Sequence, residues 1–220
     1  MPTLLIIGLV LLAYLVGSIP FGFLLVKIFT GQDVRGIESG RTGGTNTMRA
    51  AGFWIGLTTS FLDIIKSAGM VWSARYLYPD RFWLHVFIGL FTVIGHNYSI
   101  FLIQKDATGK LKIGGGAGGT PAVGVIGGLW WPSLFILIPT GYFIVMVIGY
   151  ASLATMSLPL IGSLIFLIRF LSDNQPWQYI LSGLLSEVFI VWALRPNIKR
   201  LLAGTERVVG FRAKNKPEKE

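Results

Sequence analysis

Three long stretches of this chain carry no charge. No Asp, Glu, Lys or Arg occurs from Met1 to Val26, from Phe82 to Gln104, or from Ile113 to Ile168. A helix that crosses a lipid bilayer needs about 20 consecutive, mostly apolar residues. Each of the first two gaps therefore holds one span, and the third holds two or more. Soluble cores do not require uncharged runs of this length. With 53% hydrophobic and only 13% charged residues, against about 25% charged in soluble domains, the chain reads as an all-α, polytopic membrane protein.

The segment from Thr3 to Phe29 lacks the basic start of a secretory signal and is too long for one, so an uncleaved first span is expected. Pro20 inside it removes one backbone bond, which neighbours must compensate. Further spans are expected at about Gly52–Tyr76, Phe82–Gln104, three within Ala122–Phe170, and Pro176–Leu194, or about seven in all. The third region is cut at Trp130-Trp131-Pro132 and Tyr150–Thr155, because Trp favours the headgroup level. Residues 1–210 form one membrane domain, and 211–220 are expected to be a basic, disordered tail.

The formal charge is +9, and its distribution orients the spans. Arg35, Arg41 and Arg49 lie in the first polar loop; Lys105, Lys110 and Lys112 lie in the second; eight Lys or Arg follow Leu194. The intervening loops carry only Arg75, Arg81 and Arg169. Positive loops stay cytoplasmic, so the N-terminus is expected outside, with both polar loops and the C-terminus in the cytoplasm. The basic segments are short and lack interleaved aromatics, which argues against nucleic acid. There is no cysteine, acids are few and the two histidines scattered, so no metal site is expected.

Four places hold residues suited to chemistry. The first loop, Gly36 to Arg49, offers amides, hydroxyls of Ser39 and Thr45, the Asn46 amide and the Arg49 guanidinium: a phosphate cradle or an ordinary flexible loop. The string Gly114-Gly115-Gly116-Ala117-Gly118-Gly119-Thr120 contains G-x-G-x-x-G, but no strand is expected before it and a span follows. It is an anion-binding helix start or a close-packing spacer. Asp63 and Lys66 share one helical face inside a span, as a functional pair or a mutually satisfied structural one. His96 is a packed hydrogen-bonding residue or a catalyst.

These pieces occur in the order of a known family. Gly17-Ser18-Ile19-Pro20-Phe21-Gly22, the first loop with Ser39, Gly40, Thr45, Asn46 and Arg49, and Asp63-Ile64-Ile65-Lys66 come first. Gly95-His96-Asn97-Tyr98, Gly115-Gly116-Ala117-Gly118, Tyr150 to Thr155, and Asn197 to Glu206 follow. Together they resemble the acyl-phosphate:glycerol-3-phosphate acyltransferases, the PlsY family, over about residues 8 to 210. Seven positions depart from the family pattern, three of them Gly119-Thr120-Pro121, which follow Gly118 where the family has Val-Ala-Thr. Ala117 stands where it has Lys, Leu194 where it has His, Arg41 where it has Asn, and Ser67 where it has Gly. Gln104 to Ile113 looks like a polar insertion.

The resemblance implies a seven-helix, multi-pass enzyme of the bacterial cell (inner) membrane with its active site facing the cytoplasm. It would transfer a fatty acyl group from acyl-phosphate to the sn-1 hydroxyl of glycerol-3-phosphate, giving lysophosphatidic acid for phospholipid synthesis, without metal or other cofactor. Ser39 and Arg49 would act on glycerol-3-phosphate, with Asn46 and Asn197 positioning. Amides and hydroxyls of Thr45, Gly115, Gly116, Gly118, Gly119 and Thr120 would hold phosphate. Asp63, Lys66, His96 and Lys199 would be supporting residues, and Arg41, Lys110 or Lys112 would replace the missing Lys. Two other readings stand beside it: a non-catalytic relative that binds lipid or phosphate, favoured by Ala117 and Leu194, and a small-anion transporter, for which no internal repeat is visible.

Overall fold

The computed structural model describes residues 2–105 and 109–214. It is helical, with one small hairpin. Helix α1 (Pro2–Ser18) and α2 (Phe21–Thr30) are the two halves of the first apolar segment, and α3 (Gly44–Ala51) follows the first loop. Then come α4 (Phe53–Leu77), α5 (Phe82–Asn97), strands β1 (Ile103–Lys105) and β2 (Leu111–Ile113), α6 (Gly119–Leu129) and α7 (Leu134–Phe143). A π-helical turn (Ile144–Ile148) extends α7, and α8 (Ala151–Asp173), α9 (Ile180–Leu202) and α10 (Phe211–Lys214) complete the chain.

Among the described residues, five helical stretches are long and apolar enough to cross a membrane: Thr3–Thr30, Phe82–Leu102, Trp131–Ile148, Ala151–Asp173 and Trp177–Leu202. Helix α4, with 25 residues, and α6 bring the bundle to seven. Helix α6 has only 11 residues, a length of about 16 Å, roughly half of a ~30 Å hydrocarbon layer. It survives because it is wrapped by protein: Pro121 to Leu129 are buried without exception, against α4, α5, α8 and α9. Its short length sets its N-terminal end, and the glycine string before it, inside the bundle rather than above it.

Pro20 breaks the first segment, and side chains from α4 and from the turn after α5 satisfy the freed carbonyls. Lys66 Nζ donates to the Ile19 carbonyl at 2.9 Å, and Ser99 Oγ donates to the Ser18 carbonyl at 2.6 Å. Gly17 and Gly95 let the backbones of α1 and α5 touch; a Cβ at either would run into the opposing main chain.

The expected polar insertion is the antiparallel β1–β2 hairpin, with Ile103 opposite Ile113, Gln104 opposite Lys112 and Lys105 opposite Leu111. A strand therefore does precede the glycine string, contrary to expectation. It is three residues long, too short to show a period in sequence. The expected tail from residue 211 begins instead with α10, where Arg212 donates to the Ile148 carbonyl at 2.9 Å. The remainder, 215–220, lies outside the described residues.

The core runs along α6, from Ala122 to Leu129, with Val71, Val93, Phe166 and Ile190 packed around it. At one end of the bundle four connections meet. The first loop bonds the glycine string (Thr42 N to Gly115 O, 3.3 Å), and Arg207 pairs with Glu38 at 2.8 Å. Val209 N donates to Gly149 O at 2.9 Å. The segments expected on one side of the membrane are thus in mutual contact.

Candidate active site

Three helices begin at this end, and their N-termini converge on one cleft. Gly43 caps α3, Gly118 caps α6 and Tyr150 caps α8, and none of the three receives a side-chain cap among the described residues. The first amides of each helix have no acceptor within it, and each terminus carries about half a positive charge. The cleft, of about 710 Å³ out to its open mouth, is lined by residues of all three starts: Gly44 and Thr45, Gly119 and Thr120, Ser152 and Thr155. Gly118 turns into α6 at φ +93°, a left-handed conformation that favours glycine.

Arg41, Arg49 and Arg207 add three guanidinium groups to the lining. Burial pushes the pKa of Arg41 and of Arg49 downward, yet arginine stays charged because its ordinary value exceeds about 12. Arg41 is the most committed. Its side chain donates to the Gly116 carbonyl at 2.9 Å and to the Ala193 carbonyl. It thereby clamps the glycine string to α9, next to Ala117 and Leu194, two of the positions that depart from the family pattern.

The two asparagines organise the walls. Asn46 is buried; its Nδ2 faces the carbonyls of Val34 (3.2 Å), Ile37 (3.0 Å) and Arg41 (2.9 Å), and its Oδ1 accepts from Ser39 N at 3.4 Å. This folds the first loop over itself and presents Ser39 and Arg41. Asn197 donates to Glu206 Oε1 at 2.8 Å, and Arg200 pairs with the other oxygen at 3.0 Å. Glu206 in turn accepts from Ser152 at 3.4 Å, linking the C-terminal segment to the start of α8.

Of the expected site residues, Ser39, Thr45, Asn46, Arg49, His96, Gly118, Gly119, Thr120 and Asn197 line the cleft. Gly115 and Gly116 do not. Gly116 spends its amide on the His96 carbonyl at 2.8 Å, and Gly115 faces a second opening, as does Lys199. Asp63 and Lys66 lie behind the cleft, paired at 2.7 Å and buried, with His96 Nδ1 at 3.4 Å from the same carboxylate oxygen. Of the three cations considered as substitutes for the missing Lys, Arg41 reaches the cleft, while Lys112 lines the second opening. Sequence reasoning missed Glu206, Arg207, Ser152 and Thr155 as lining residues. The first two sit in or beside the C-terminal signature and the last two in the Tyr150–Thr155 segment, so the signal was motif membership alone.

Residues 7–204 match the family described as glycerol-3-phosphate acyltransferase. The chain belongs to that family. A glycerol-3-phosphate acyltransferase of Prochlorococcus marinus (strain NATL2A) is 34% identical over 199 residues, covering 90% of this chain and 94% of the relative. One from Lawsonia intracellularis is 36% identical over 200 residues, 90% and 93% of the two chains. Two crystal structures of PlsY (YgiH), an integral membrane glycerol 3-phosphate acyltransferase, share the fold at 29% identity. The glycerol 3-phosphate form superposes with TM-score 0.79 over 96% of this chain and 99% of that one. The lysophosphatidic acid form gives 0.75 over 93% and 95%. Family membership over nearly the whole chain fits the integral-membrane, seven-helix reading of the sequence.

Proposed function

We propose that this chain is a membrane glycerol-3-phosphate acyltransferase that takes its acyl group from acyl-phosphate at the cytoplasmic face. The observation that carries the reading is the convergence of three uncapped helix N-termini and three arginines on one cleft. Such a cleft suits phosphate groups, and its relatives are named for a phosphate-bearing acceptor. In the reaction the sn-1 hydroxyl oxygen bonds the acyl carbonyl carbon, the bond from that carbon to the phosphate oxygen breaks, and phosphate departs with the hydroxyl proton in the balance. Acyl-phosphate is already activated, so the protein mainly positions two anions and holds developing charge.

Ser39 and Arg49 take the acceptor's phosphate. The free amides of Gly44, Thr45, Gly119 and Thr120 cradle the donor's phosphate, replacing the expected contribution of Gly115 and Gly116. Asn46 and Asn197 are positioning residues, acting through the first loop and Glu206. Arg41 supplies the charge that Ala117 does not. The acyl chain runs between spans, and the Lys/Arg excess of the clustered loops supports a cytoplasmic cleft. The test supplies purified protein with acyl-phosphate and labelled glycerol-3-phosphate. Lysophosphatidic acid is expected from the wild type and roughly a hundredfold less from Arg49→Ala, the loss of about one charge-assisted contact. No product from a folded wild-type chain would overturn the function; product unchanged in Arg49→Ala would overturn the site.

A further inference from the structure

Ser39 and Arg41 form a ridge, and a second opening lies on its far side. Its volume is about 1500 Å³ out to the mouth, and the hairpin, the end of α5 and the last turns of α9 wall it. Five cations line it, Arg35, Arg41, Lys112, Arg195 and Lys199, with no Asp or Glu among the lining residues. Arg35 is paired with Asp33 at 2.6 Å, and Arg195 lies 3.4 Å above the Trp192 ring. Lys112 and Lys199 have no acidic partner among the described residues. The charge lining the opening is therefore net positive.

A second observation points to a ligand. Asn97 is only 4% exposed and lines this opening, yet neither its Nδ2 nor its Oδ1 has a hydrogen-bond partner among the described residues. The buried hydroxyl of Tyr98 beside it is equally unmatched. Native interiors rarely leave such groups orphaned. A donor amide, an acceptor amide oxygen and a hydroxyl among cations suit a phosphate monoester. Its three terminal oxygens accept, and its second pKa of about 6 lets one carry a proton toward Oδ1. The rim is apolar, with Ile113 and Trp192, both exposed, lining the mouth. That rim suits a phosphate carried on a hydrocarbon chain.

We propose that this second pocket binds a phosphate monoester, borne on a lipid, at a site separate from the cleft where acyl transfer takes place. The proposal goes beyond the assigned reaction and does not require the cleft to be active. Equilibrium dialysis of the full chain in non-ionic detergent tests it, with labelled monoacylglycerol phosphate in one arm and inorganic phosphate in the other. The wild type is expected to bind two equivalents of the lipid. The Lys112→Ala/Arg195→Ala variant is expected to bind one tightly, the other weakened about tenfold or more, with acyl-transfer kcat unchanged. Asn97→Leu is expected to lose the same equivalent while its thermal midpoint holds or rises, since an orphaned amide has been removed. The same residue dependence with inorganic phosphate alone would support the site and identify free phosphate as its source. Equal stoichiometry and affinity in wild type and all variants, in both arms, would overturn it. Failure of acyl transfer with two equivalents still bound would count against the assigned reaction and leave this pocket standing.

Discussion

Replacing Arg41 by Ala removes a guanidinium that holds two carbonyls, Gly116 at 2.9 Å and Ala193, from segments 75 and 152 residues away. The side chain is partly buried, so its interactions are screened less than those of an open surface cation. One hydrogen bond to a charged group contributes about 1.5–3 kcal/mol net. Each 1.36 kcal/mol of lost transition-state stabilisation costs about tenfold in rate. If one such contact is felt in the transition state, kcat/KM falls about ten- to two-hundred-fold. The assay counts lysophosphatidic acid from purified variants, with folding checked by monodispersity. The decisive arm is a double-mutant cycle. Ala117→Lys in the wild type adds a cation beside Arg41 and is expected to change the rate by less than about threefold, since like charges in one site oppose each other. In the Arg41→Ala background the same Lys is expected to restore about tenfold, because it returns the missing charge. Independent sites give additive effects. An Ala117→Lys effect equal in both backgrounds, or Arg41→Ala at the wild-type rate, would refute the compensation argument.

Three further outcomes are expected. Asp63→Asn leaves the buried Lys66 ammonium without its counter-charge, and breaking a buried pair costs about 3–5 kcal/mol; the thermal midpoint in detergent should drop by several degrees, and an unchanged midpoint would show that the pair is not structural. Gly118→Ala places a Cβ at φ +93°, 2.8 Å from Asn97 Oδ1, so phosphate affinity of the cleft should fall with helix content retained; unchanged affinity would remove the amide cradle. The chain has no cysteine, so single Cys replacements at Gln32, Lys110 and Asp80 report topology cleanly; an impermeant thiol reagent on intact cells should label Asp80→Cys only, and labelling at Gln32 or Lys110 would turn the cleft outward.

The spans are legible in the sequence because they depend on composition. A run without charge needs no partner to be recognised, and the three-residue spacing of Asp63 and Lys66 is enough to place them on one helical face. What the sequence hides is anything set by contact. The cut at Trp130 already makes the α6 span short in the sequence, and only its enclosure by its neighbours shows why 11 residues suffice. The hairpin is hidden because each strand has three residues, below the length at which alternation means anything. Asn46 lines the cleft, as its motif implies, but its work on three loop carbonyls depends on a fold that no spacing reveals. The family resemblance puts Gly115 and Gly116 beside the phosphate, whereas the fold spends Gly116's amide on His96 and turns Gly115 to the other side.

The family's missing lysine shows why motif matching and site electrostatics can disagree. A motif records which chain position bears a charge; the field at a reacting atom depends only on where the charge stands and how dry the surroundings are. On the proposed reading the cation in this chain comes from Arg41 of the first loop instead of the glycine string. It reaches the Gly116 carbonyl, one residue from the vacant position, and the Ala193 carbonyl, one residue from Leu194. Asn46, by bonding the Arg41 carbonyl at 2.9 Å, fixes the backbone from which that side chain extends. Positions 41, 117 and 194 therefore lie together in space, and the proposed reading treats them as one coupled change. A test that restores a single position in an otherwise unaltered chain would add a charge where one already stands, which is why the cycle through both positions, and neither single variant alone, measures the site.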